Sequence, residues 1–378
     1  MNPPLEPSTA VPEDLRARPK LLLHDHFDGG LRAATVIDLA VQNGYRDLPT
    51  HDADELADWF HRGAGRRSLA LYLETFTHTV GVLSNPESIE RVAFECAEDL
   101  AADGVIYAES RFAPELVASD HNHMSLDDAI EAMARGFDRA APLGIELRII
   151  VCSMRNLAIS PAAAAAAVRG RDRGVVGFDI AGPEAGFPPT DHLEAFTIAR
   201  NGGLGVTIHA GEADGLGSII EAMQDCAADR LGHGVRITDD IVTAPDDGHA
   251  SGANPSGANR LGTLATEVRD RRLCLEVCPT SNVHTAAGGI TELAEHPIDL
   301  LAREGFAVTV NTDNRLMSHI TLSGEYAGLA ETFGWGPDQF DAVEATALRV
   351  AFCDEETRRR IGHRLGSGLT VERGATPS

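Results

Sequence analysis

The chain of 378 residues is long enough to bury a large core, as one barrel or sandwich or as two ordinary domains. Its formal net charge of −25 repels phosphate backbones and anionic lipid, no local basic stripe offsets it, and no run of about eighteen apolar residues occurs, so neither nucleic acid nor a membrane is an expected partner. The six cysteines are scattered without a CxxC pair, which argues against a disulfide framework or a cysteine zinc site, and Lys20 is the only lysine.

Residues 1–18, with Pro and Glu throughout and no basic start ahead of an apolar run, read as a loosely ordered segment, and the absence of a Sec-type signal predicts a cytoplasmic protein. From residue 19 to about 370 a single domain is expected. Apolar, β-branched runs recur along it, each ending in small or polar residues: KLLLHDH, GVIYAESRFA, IELRIIVC, GVVGFDIAG, GLGVTIHAG, DRLGHGVRI, LCLEVCP and FAVTVNTD. Helical stretches separate them. Asn85–Pro86 has the form of an N-cap followed by proline, ahead of a segment in which Ile89, Val92, Ala93, Cys96 and Leu100 share one face, and Ser160–Pro161 opens an alanine run in the same way. Apolar strands alternating with helices predict an α/β fold with a parallel sheet, and eight such units predict a closed (β/α)8 barrel of the TIM type. After the first strand AATVIDLAVQNG, DADELADWFHRG and SLALYLETFTHTV predict extra helices over the C-terminal mouth, while the Pro/Gly/Ala-rich stretch 243–259 predicts a flexible insertion.

Polar residues gather at the C-terminal ends of these strands, where barrels of this type build their active sites. His24 and His26 lie two residues apart on the first strand and so project to the same side of the pleat. The fifth strand ends in His209 with Glu212 above it, the sixth carries His233, and the eighth ends in Asp313 and Asn314, beside the first strand once the barrel closes. Three histidines and a carboxylate from different strands suit Zn²⁺, which leaves His233 and Glu212 for proton handling. A second HxH, His121 and His123, follows no apolar strand and reads as a solvated loop. With no lysine on a middle strand to bridge two ions, one metal per chain is expected. The H-x-E and P-C-x-x-C elements of the zinc deaminases that act on flipped bases are absent.

Taken in order, HDHFDG, SLALYLETF, YAESRFAP, TIHAGE, LGHGVRI, CPTSNV and VNTDN closely resemble the adenosine deaminase family of zinc-dependent barrel hydrolases, from about Pro19 to about Phe352. The resemblance implies that His24, His26, His209 and Asp313 hold one Zn²⁺, that Glu212 donates a proton and that His233 orients the attacking water and helps to deprotonate it. It further implies that Asp28 contacts the ribose 5′-hydroxyl and Gly182 the purine, with His26 and Asn314 completing the substrate-binding set. Many family members carry a second aspartate where this chain has Asn314, whose amide can donate to the same unprotonated ring nitrogen. The expected activity is hydrolytic deamination of adenosine and 2′-deoxyadenosine in purine salvage, with a small-molecule purine nucleoside as the partner. Two alternatives stay open: a deaminase of another 6-aminopurine, such as adenine or a sugar-modified adenosine, and a catalytically silent purine-binding barrel.

Overall fold

The structure, a computed structural model, describes residues 11–243 and 259–366. Every predicted strand forms: β1 Lys20–His26, β2 Val105–Phe112, β3 Glu146–Met154, β4 Val175–Ala181, β5 Gly205–Ala210, β6 Arg230–His233, β9 Cys274–Val277 and β10 Val308–Val310. A short antiparallel pair, β7 Ile241–Val242 with β8 Arg260–Leu261, lies between β6 and β9. The other eight strands are parallel in the order β1-β2-β3-β4-β5-β6-β9-β10. Because β10 is only three residues long, the seam back to β1 is made just beyond it. The His26 N–H donates to the Asp313 carbonyl (2.7 Å), the Asp313 N–H to the His24 carbonyl (3.0 Å), and the Asn311 side-chain oxygen accepts from the amides of Leu23 and His24 (3.0 and 3.1 Å). The result is the predicted (β/α)8 barrel.

β1 is buried on both faces, as a parallel strand covered by helices must be. Leu21 and Leu23 pack outward with Ala347, Leu348 and Ile361 of the C-terminal helices. The two-residue pleat therefore turns His24 and His26 toward the barrel axis. Ahead of the strand, residues 11–18 are not the loose segment expected from composition. They include α1 Glu13–Ala17 with Leu15 buried, because the Lys20 ammonium turns back and donates to the carbonyls of Leu15, Arg16 and Arg18 (2.8, 3.1 and 2.8 Å). Residues 1–10, and all but the two end residues of the predicted insertion 243–259, lie outside the described residues.

The extra helices after β1 are present as α2 Ala33–Asn43, α3 Ala53–Ala64, α4 Leu69–Leu73 and α5 Phe76–Val82, followed by α6 Pro86–Ala102. Each boundary has a local cause. Gly44 at φ 71° ends α2, the Asp52 carboxylate caps α3 through the amides of Asp54 and Glu55, and Asn85 caps α6 through the Ser88 amide. α5 packs over the turn that follows β1, and α3 packs on the short helix Arg315–Ser318 that follows β10, so the set covers the mouth as predicted. Ser160 is the first residue of its helix instead of the cap; its hydroxyl pairs with His192 Nδ1 (2.7 Å). His121 and His123 are exposed in a loop, as the lack of a preceding strand implies.

A column of charge runs up the barrel beneath the mouth. Arg230 stands over the Phe352 ring (3.7 Å to the centroid) and pairs with Glu109 and Glu276 (2.6 Å each). Arg111 joins Glu276 to Asp179 (2.8 and 2.7 Å). All five charged groups are fully buried. Removing one member strands the others, and a broken buried pair costs about 3–5 kcal/mol. Arg111→Met is accordingly expected to lower unfolding stability by about 3–5 kcal/mol in urea titrations, with weakened metal retention. An unchanged midpoint would contradict this reading of the column.

Candidate metal and proton-transfer site

The upper end of that column sets the chemistry of the histidines. His24 Nδ1 lies 3.0 Å from Glu276 Oε2, and His209 Nδ1 lies 2.9 Å from Asp179 Oδ2. Arg111 and Arg230 hold Glu276 well below the usual carboxylate range against the opposing effect of burial; His209 and Arg111 likewise hold Asp179 at about 2. Both carboxylates are therefore ionised acceptors, each imidazole places its hydrogen on Nδ1, and the Nε2 lone pairs of His24 and His209 face inward.

Four ligand atoms converge there. One each from His24, His26, His209 and Asp313 lie within 4.8 Å of one another. His26 Nε2 is 3.3 Å from both His209 Nε2 and Asp313 Oδ1, and His24 Nε2 is 3.4 Å from Asp313 Oδ1. His24 Nε2 is buried without a hydrogen-bond partner. Burial holds His26 and His209 below the usual imidazole range, so they are neutral, as metal ligands must be. Imidazole nitrogens crowded around a carboxylate, one of them orphaned, fit a divalent cation. Asp313 adopts φ 59°, a left-handed conformation rare for aspartate, and the Ser281 hydroxyl fixes its other oxygen (2.5 Å). Such strain persists where the surroundings over-determine it, commonly at functional sites.

His233, also left-handed at φ 61°, lies beside His24 and His209, its ring tilted to both, with centroids 4.8 and 5.2 Å away. Its Nε2 faces Glu212 Oε2 at 3.7 Å, and its Nδ1 accepts from the Asn282 amide (3.1 Å), whose oxygen meets His296 Nε2 (3.2 Å). With Nδ1 taken as acceptor, the neutral ring carries its hydrogen on Nε2. Glu212 is buried and accepts from the Thr285 hydroxyl (3.0 Å). Burial, then the charges of Asp313 and Glu184, raise its carboxyl well above the usual range, which favours the protonated form.

Beside the cluster lies a mainly apolar cavity of about 260 Å³, walled by Leu73, Phe76 and Val80 of the mouth helices and by Leu116, Met154 and Gly182. His26 and Asp28 form its polar end. Asp28 sits in the turn Phe27–Gly29 with Oδ1 unpartnered, and burial pushes its carboxyl up to about 7. Gly182 follows β4 at φ 100°, where a Cβ would lie 2.7 Å from Met154. Asn314 is buried with Oδ1 unpartnered, seated so closely on Gly29 that a Cβ there would lie 2.0 Å from that oxygen.

The family model for adenosine deaminase matches residues 19–367. The chain belongs to the adenosine deaminase family. Among curated family members, the adenosine deaminase of Mycobacterium sp. (strain JLS) is 52% identical over 352 residues, which span 92% of this chain and 93% of that protein. Similar solved structures include an adenine deaminase from Arthrobacter aurescens (TM-score 0.78, 21% identity, 92% and 98% of the two chains). A zinc-containing amidohydrolase from Burkholderia ambifaria is another (TM-score 0.76, 24% identity, 96% and 94%). The family's barrel thus brings together the four candidate ligands and sets Glu212 and His233 beside them. Sequence reasoning missed Asp179, Glu276, Arg111 and Arg230, although a charged residue inside an apolar strand, as in GFDIAG or CLEVCP, was the signal for each. It also passed over Ser281, Asn282 and Thr285, whose hydroxyl and amide groups carry no such mark.

Proposed function

We propose that this chain deaminates adenosine and 2′-deoxyadenosine by hydrolysis, breaking the bond between C6 and the amino nitrogen and forming a C6–oxygen bond from water, with ammonia released. The reading rests on one juxtaposition: three histidines and Asp313 within 4.8 Å, flanked by a buried carboxyl on Glu212 and by His233, in a chain 52% identical to a protein named adenosine deaminase. His24, His26, His209 and Asp313 would hold one Zn²⁺, which would supply a nucleophile from water at neutral pH by lowering the pKa of water to about 7.

The side chains account for the rest. C6 of adenine is a poor electrophile until a neighbouring ring nitrogen is protonated, and Glu212, kept as the acid, is the group to supply that proton. His233 Nε2–H orients the incoming oxygen. The apolar walls exclude bulk water from the purine, and the Asn314 amide donates to its five-membered ring. Asp28 accepts from the ribose 5′-hydroxyl through its free oxygen. Among the described residues no lysine or arginine lines the cavity to receive a 5′-phosphate, which favours nucleoside over nucleotide.

The test is metal analysis of purified protein together with the ultraviolet change on adenosine, 2′-deoxyadenosine, adenine and adenosine 5′-monophosphate, each followed separately. Adenosine and 2′-deoxyadenosine are expected to turn over with about one zinc per chain. Faster turnover of adenine, or of the monophosphate, would replace the substrate assignment. No zinc and no turnover of any of the four would overturn the enzyme reading. Asp28→Ala is expected to reduce kcat/KM for adenosine by about 10–100-fold, since a lost hydrogen bond to a charged group costs about 1.5–3 kcal/mol. Adenine, which lacks the ribose, is expected to be unaffected by the same change.

A further inference from the structure

Between the site and the barrel wall lies a carboxylate that touches neither the metal ligands nor the cavity. Glu184, in the loop after β4, is 3% exposed and reaches across to the loop after β5. Its Oε1 accepts from the Gly211 amide (2.6 Å) and the Ser218 hydroxyl (2.7 Å). Its Oε2 accepts from the amides of Glu212, Ala213 and Asp214 (3.0, 2.6 and 2.9 Å). Four consecutive backbone N–H groups pointing at one place form the concavity that loops use to bind anions, and here the chain's own side chain fills it.

The turn needs such a clamp. It begins at Gly211, φ 77°, where a Cβ would lie 2.6 Å from Ile219, and it carries Glu212 up from the strand end that holds His209. Without an anion the four amides would be left unpartnered, and the turn would relax toward water. Bonds from N–H groups to an ionised carboxylate are roughly twice as strong as neutral ones.

We propose that Glu184 is a positioning residue for proton transfer: by binding the four amides of residues 211–214 it fixes the height and direction of the Glu212 carboxyl over the reacting ring. The proposal rests on the reading of Glu212 as the proton donor. A general acid must sit within hydrogen-bond reach of the atom it protonates, and a displacement of about 1 Å costs on the order of 10²-fold in rate. Substrate affinity comes from the cavity walls and Asp28, so the clamp acts on kcat and leaves binding alone.

The test is steady-state kinetics on the metal-loaded enzyme. Glu184→Gln keeps the shape but turns an NH₂ group toward backbone N–H groups. Its kcat for adenosine is expected to fall by about 10–100-fold, with KM within about threefold of the parent and zinc content unchanged. A variant that acts only through Glu212 adds nothing once Glu212 is gone, so Glu184→Gln combined with Glu212→Gln is expected to be no slower than Glu212→Gln alone. Parent-like kcat in Glu184→Gln, or an equal further loss in the double variant, would overturn the proposal. Should the Gln protein fail to fold, Glu184→Asp, which keeps the charge but withdraws it by one methylene, is read by the same split between kcat and KM. Retained turnover in Glu212→Gln would instead refute the assigned donor; a silent Glu212→Gln beside an unaffected Glu184→Gln would refute the clamp alone.

Discussion

Glu212→Gln is expected to bind its metal like the parent and to lose adenosine turnover by a factor on the order of 10²–10⁴, the usual contribution of a positioned proton donor. The amide keeps the shape and the contact with Thr285 but has no acidic proton to give. Zinc content of the purified variant and single-turnover rates check the two halves separately. Substantial turnover with full zinc would mean that another group is the acid. A second consequence concerns stability in metal-stripped protein. Burial first, then Asp313 and Glu184, raise the folded-state pKa of Glu212 above its unfolded value, so the folded state holds a proton that the unfolded state has already released. Its contribution is fully present below the unfolded pKa and is lost as pH rises toward the folded one. Glutamine has no such dependence. The stripped variant is therefore expected to melt above the stripped parent at pH 8, with the difference closing near pH 4.

Removal of the metal is expected to abolish turnover altogether, and Zn²⁺ alone is expected to restore it. Asp313→Ala is expected to prevent that restoration, because the variant retains three imidazoles without the carboxylate that sits 3.3–3.4 Å from two of them. A ligand that binds only the folded chain stabilises it by about 4 kcal/mol at a thousandfold excess over Kd, so chelation is also expected to lower the melting temperature. Metal analysis, melting curves and activity on the same samples decide the point. Full activity in chelated, metal-free protein would remove the metal from the reaction.

The barrel was legible because its signals are local and repeated. Eight apolar runs with polar ends need no long-range knowledge to read, and the shared orientation of His24 and His26 follows from the pleat alone. The convergence of His209 and Asp313 on them followed from closure of the barrel. What escaped was the layer beneath and beside the ligands. Asp179 and Glu276 look like isolated charges in hydrophobic strands, and only the folded barrel shows that Arg111 and Arg230 neutralise them and that they set the histidine tautomers. Glu184 sits in a loop whose sequence, AGPEAGFPP, reads as an ordinary turn. Apart from the Ser218 hydroxyl its partners are backbone amides, which leave no trace in residue identities. Within the segment expected to be loose, residues 11–18 escaped for the same reason: the interaction that folds residues 13–17 comes from Lys20, on the strand that follows.

That ammonium group has a use at the bench. It is the only side-chain amine in the chain, and it is sealed beneath the first strand with all three of its donors engaged. An acylating reagent can reach it once α1, whose carbonyls cover it, detaches or the start of β1 opens. Mass-spectrometric counting of the label on Lys20, over time and in rising denaturant, would therefore time the release of α1 and the start of β1 from the barrel, with no engineered probe.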